Sequence, residues 1–221
     1  MALVITSLSV YAQQPANSRN PFDSAGRIHN QLVEEYLRRF PSGHQGINEV
    51  ATAMQTIANN NAEYRGLGES PIDARAIEAG AADITNNFRK VVSNAKVSAA
   101  AKTEIQSLLD HMFTVADGTS GYAEFHRYVL AYEDRAIANR ALSEQDKKVV
   151  LSLSSVARYS TSLWNRVVPT AQESTQRRRW YHWAIIGVAD VAGTLAGGGV
   201  NVGTGAAASG GAYTMTNPNA K

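Results

Sequence analysis

The side chains best suited to metal binding or proton transfer near neutral pH are the five histidines, His29, His44, His111, His126 and His182. None of them pairs with a second histidine at the i, i+4 spacing, with a glutamate beside it, that makes a helical zinc site. Asp110 and His111 are neighbours in sequence, so on a helix their side chains diverge. His126 has Tyr122 one turn back and Glu133 and Asp134 about two turns ahead, which is beyond direct hydrogen-bond reach. Only a tertiary meeting of His29, Glu34, His126 and Asp134 would create an acid–base or metal site. The simpler expectation is that these are separately solvated or singly bonded side chains.

Covalent catalysis finds less support. The chain has no cysteine, which removes thiolate nucleophiles, Cys-ligated zinc and disulfides. Serines are plentiful, but no Gly-x-Ser-x-Gly elbow occurs, and the Gly-x-Gly pieces near Gly197 and Gly199 neither follow a strand nor open a capped helix, as a nucleotide site requires. No catalytic, cofactor-binding or metal-ligating residue is therefore assigned. The run from Ser152 to Trp164 is instead a helix with a small, hydroxyl-rich polar face. Such a face suits close helix packing, which predicts a central helix with Trp164 in the core or at its rim.

The C-terminal part carries the most unusual composition. Arg177-Arg178-Arg179-Trp180-Tyr181-His182-Trp183 is basic and aromatic, and from Ala184 to Ala212 the only ionisable side chain is Asp190. Gly193 and Gly197, and then Gly199, Gly203, Ala207 and Gly211, recur every four residues, as in small-xxx-small helix contacts. One reading places Trp180 and Trp183, flanked by the arginines, at a membrane interface, with the glycines packing helices in the bilayer or between copies of the chain. The other places a helix from about Trp180 to Ala196 across the body of the protein, followed by a flexible glycine-rich arm. Nine glycines between Gly187 and Gly211, at about 1 kcal/mol each against alanine, make an isolated helix poor.

The elements that must position these residues read as helices. Asn20-Pro21-Phe22-Asp23 supplies a cap, a first-turn proline and an acid, and Ile28, Leu32, Val33, Tyr36, Leu37 and Phe40 follow at spacings of three and four up to Pro41. Ile47 to Ala58 gives a second helix. Ser70-Pro71-Ile72-Asp73 repeats the start signal ahead of Ile77, Ile84, Phe88 and Val91. Val97 to Met112, Tyr122 to Ala136 and a helix opened by Ser143-Glu144-Gln145-Asp146 complete the set. No run alternates with period two for long enough to be a strand. The expected fold is all-α: a bundle of about six amphipathic helices over 20–176, with a Gly/Ala-rich helical segment over 177–213 and a disordered tail over 214–221.

At 221 residues the chain suits one domain, and 44% apolar with 18% charged residues predicts a folded one. A net charge of +2, dispersed along the chain, argues against nucleic acid as a partner. Leu3 to Val10 is a short apolar run followed by small residues, so residues 1–12 read as a signal peptide lacking its basic start, cleaved after Ala12, with a polar linker over 13–19. The order Asn20-Pro21-Phe22-Asp23, His29-Asn30, Ser155-Val156-Ala157-Arg158-Tyr159-Ser160 with Trp164, then Trp180 to Asp190 and a glycine-rich stretch, resembles a group of exported proteins of Bacteroidetes-type bacteria. The resemblance covers most of the chain as an order of patterns. It implies export and a helical body, and no chemistry. The functional expectation is a non-enzymatic exported or envelope-associated protein whose C-terminal segment contacts a membrane surface or a second copy of the chain. A metal-dependent or hydrolase-like enzyme with its site between helices is the alternative, with a purely structural domain as the third reading.

Overall fold

In the computed structural model, which describes residues 15–44, 46–75, 77, 84–117, 122–167, 176–195 and 199–216, all the regular structure among the described residues is helical. The helices are α1 (Ser24–Arg39), α2 (Ile47–Asn60), α3 (Ala62–Gly66), α4 (Ile84–Asn94), α5 (Ala99–Asp117), α6 (Tyr122–Ala138), α7 (Glu144–Val167), α8 (Gln176–Leu195) and α9 (Val202–Thr216). The expected signal segment, Gly197 and residues 217–221 lie outside the described residues.

Local chemistry explains several boundaries. Ser143 and Asp146 cap α7 reciprocally: the Asp146 amide donates to Ser143 Oγ at 3.1 Å, and the Ser143 amide donates back to Asp146 Oδ2 at 3.2 Å. Asn61 opens α3 by accepting from the Tyr64 amide at 2.9 Å. The two Pro-containing start signals behave differently. Residues 17–23 form turns and α1 begins at Ser24, while 70–73 are non-helical ahead of Ala74. Ahead of α1 the polar side chains are shared with distant parts of the chain, as described below, whereas the Asp73 side chain accepts from the Arg75 amide at 2.9 Å and so caps the turn that follows it.

Two helices are enclosed by the rest. From Val149 to Trp164, α7 is buried continuously on all faces. Against it pack α1, α6 and α8, while α9 lies against α8, α1 and α2. The hydroxyl face of α7 permits very close approach: a methyl group on Gly26 of α1 would sit 2.3 Å from the Ser155 carbonyl oxygen. Trp164 is fully buried, its indole donating to Ser209 Oγ of α9 at 3.2 Å.

The glycine-rich residues from Val202 to Ala212 are helical and buried, where a flexible arm was the alternative expectation. Tertiary packing overrides the poor helix propensity of glycine here, because small side chains allow α9 to sit against backbone. A methyl on Gly205 would meet Thr194 Oγ1 and the Asp190 carbonyl, and one on Gly193 would meet Ala208. The last helix also continues to Thr216, past the expected start of a disordered tail.

Candidate functional site

The sequence patterns singled out above converge on two buried polar clusters on the faces of α7. The first is built around Arg158, whose side chain is fully buried. Its Nη2 donates to Asp23 Oδ1 at 2.5 Å and to Glu133 Oε1 of α6 at 3.2 Å. Asn17 and Asn20, from the segment ahead of α1, donate to the two oxygens of Glu133 at 2.6 and 2.8 Å, and Ser154 adds a third donor at 2.9 Å. Asp23 also accepts from the Tyr159 hydroxyl at 3.0 Å. Two carboxylates thus share one guanidinium, and amide and hydroxyl donors satisfy the remaining lone pairs, which is what lets such charges stay buried. Asp23 is occupied here and makes no cap bond to α1, while Asn20, whose amide nitrogen serves the cluster, turns its oxygen to the Phe22 amide at 2.8 Å in the turn ahead of the helix.

The second cluster joins α1, α7, α8 and α9. Ser160 Oγ donates to Asp190 Oδ2, and His29 Nε2 lies 3.6 Å from that same oxygen. Asn30 spends its amide nitrogen on the Tyr159 carbonyl at 2.8 Å, so its oxygen faces His29 Nδ1 at 3.2 Å and places the imidazole proton there. Burial pushes the Asp190 carboxyl up to about 8, against the pull of the nearby Ser160 and Ser209 hydroxyls and the Trp164 indole. Burial pushes His29 down to about 4, with Asn30 and the Gly205 backbone opposing. Near neutral pH both groups are uncharged: a carboxylic acid facing a bare imidazole nitrogen. Serine, histidine and aspartate meet, yet not in the order that activates a serine. Nucleophilic catalysis needs the hydroxyl on the imidazole and the carboxylate behind it; here hydroxyl and imidazole both address the carboxyl. All three side chains lie away from solvent.

The residues that would have formed a tertiary acid–base site have four separate surroundings. His29 faces Asp190. Glu34 is exposed and pairs with Arg166 at 3.1 Å, and Asp134 pairs with Arg19 at 2.8 Å. His126 is buried on α6, its ring 5.7 Å from that of Tyr122. Among the described residues no group of three or more His, Cys, Asp or Glu side chains could hold a metal ion.

The glycines expected to share one face are also distributed. Gly193 packs on Ala208 and Gly203 on the Tyr64 ring, Gly211 lies near Ile77, and Gly199 stands in an open bend ahead of α9. Arg177, Arg178, Arg179, Trp180 and Trp183 fall on the first turns of α8, where the description is of the backbone. Among the described residues no helix is long and apolar enough to cross a membrane.

Among the described residues, two concavities bring polar side chains from distant segments together. One, of about 700 Å³, is a broad groove along α4 and α5 lined by Arg89, Lys102, Gln106, Asp110 and His111, with His111 stacked on Tyr128 at 3.4 Å between ring centres. The other, of about 300 Å³, lies where the start of α1, the middle of α7 and the start of α9 meet, with Glu69 and Ser152 in its walls. Sequence reasoning gave no signal for either, because their residues come from segments far apart in the chain. Comparison with known proteins supplies no relative: no family model fits the chain, and no curated protein or solved structure matches it.

Proposed function

We propose that the chain is a non-enzymatic, exported or envelope-associated helical protein, in which about six amphipathic helices house a glycine-rich C-terminal segment that mediates membrane contact or self-association. One observation carries this reading. From Ala184 to Ala212 the last two helices pair through small residues and hold a single ionisable group, Asp190, which is uncharged near neutral pH, so this part of the pair can leave its housing without carrying a charge into an apolar phase. The basic and aromatic residues from Arg177 to Trp183 open α8 and suit an interface with anionic headgroups.

A covalent lock tests the proposal. The chain has no cysteine, and a methyl on Gly210 would lie 3.2 Å from Val50 Cγ1, an atom in the place a cysteine sulfur would take, so side chains at the two positions are near enough to be joined by a disulfide. The variant Val50→Cys/Gly210→Cys is expected to co-sediment with phosphatidylglycerol-containing vesicles, or to oligomerise in sedimentation velocity, when reduced. It is expected to do neither when oxidised. The competing reading, in which the two helices are core and nothing more, is favoured by their near-complete burial. It predicts the same behaviour in both redox states, and that outcome overturns the proposal.

A further inference from the structure

The smaller cleft carries a second assignment, independent of the membrane reading. Ser152 lies in its wall and is only 3% exposed, yet its hydroxyl makes no hydrogen bond with another described residue. Its neighbours on α7 do not share this state: Ser154, Ser155, Ser160 and Thr161 are all bonded. A hydroxyl left unbonded in a cleft wall can both donate to and accept from a bound molecule. Glu69 is half used. Its Oε2 accepts from the Val202 and Gly203 amides at 2.7 and 3.4 Å, at the start of α9, while Oε1 accepts no hydrogen bond from the described residues. Lys148 stands at the rim, close enough to influence the Glu69 carboxyl but with no ion pair to it among the described residues. Leu67, one of two large apolar side chains that are exposed among the described residues, forms a lip with Phe22 and Val200.

These groups call for a ligand that donates at one point, carries negative charge at another and has an apolar side. We infer that the cleft binds a free apolar α-amino acid, its ammonium on Glu69 Oε1 and Ser152, its carboxylate on Lys148 and its side chain against Leu67 and Phe22. A volume of about 300 Å³ is at the lower end of small-molecule sites and fits one amino acid.

Isothermal titration of the full chain with leucine, methionine and phenylalanine, then with N-acetyl-leucine and leucinamide, tests this. Expected is saturable binding of at least one amino acid with a Kd below about 1 mM, and roughly tenfold weaker binding of both leucine derivatives. Lys148 is exposed, so Lys148→Met keeps the fold, as a melting curve checks; it is expected to weaken leucine roughly tenfold and to leave leucinamide unchanged. No saturable binding of any of the three amino acids overturns the inference. So does N-acetyl-leucine binding as tightly as leucine, or a Lys148→Met variant with unaltered affinity.

Discussion

Asp190 and His29 respond to pH in opposite senses, and their sum can be measured. The Asp190 carboxyl is raised from 3.8 to about 8, so its contribution to stability is present at low pH and is lost as pH rises toward 8. His29 is lowered from 6.5 to about 4, so its contribution is present above 6.5 and is lost as pH falls toward 4. Between about 4 and 6.5 the two changes cancel. From about 6.5 to 8 only the Asp190 loss remains, on the order of 2 kcal/mol. Asp190→Asn removes one side of the balance. Chemical denaturation of that variant is expected to show stability falling as pH drops from 6.5 to 4, and no loss from this site between 6.5 and 8; an unaltered pH profile would mean that the pair is not coupled to folding. None of this was visible in the sequence, where a lone aspartate in an apolar stretch and a histidine on a helix have no evident relation.

Among the elements, the crossing of α1 over α7 is the tightest contact and offers a clear contrast. Gly26→Ala places a methyl against the Ser155 backbone, which cannot yield as a side chain tip does, and a loss of about 3 kcal/mol or more is expected in urea unfolding. Gly66→Ala, at the end of α3, meets no atom within 4 Å and is expected to be neutral or stabilising by up to about 1 kcal/mol. Equal effects of the two would refute the packing argument. Most helices were legible, because spacings of three and four mark a buried stripe, and the hydroxyl-rich face of α7 was readable as a close-packing face. The starts of α1 and of the helix after Asp73 were not. Asn20 and Asp23 have good capping chemistry, but they bond Glu133 and Arg158, and after the second signal the cap is Asp73, on the Arg75 amide, where Ser70 was expected. Capping is a local preference, and a buried charge that needs donors outweighs it. The burial and pairing of Glu133 and Arg158 were illegible for a related reason: in a sequence a charged residue on a helix looks like surface.

At the scale of the whole molecule, the C-terminal helices and the first helix complete each other. Removing everything after Gln176 would uncover Trp164, Leu163 and the apolar face of α1, and would leave Ser160 and His29 without Asp190. The truncated chain is expected to lose cooperative thermal unfolding, and a sharp transition in circular dichroism would show that the remaining helices have a core of their own. There is also a consequence in time. Synthesis proceeds from the N-terminus, yet α1 docks against α9, which ends at Thr216. Contacts so distant in sequence form late, and domains generally close only when all their parts are available. A nascent chain of this design stays open until α9 has been made, and an open chain is one that a narrow conduit can still thread.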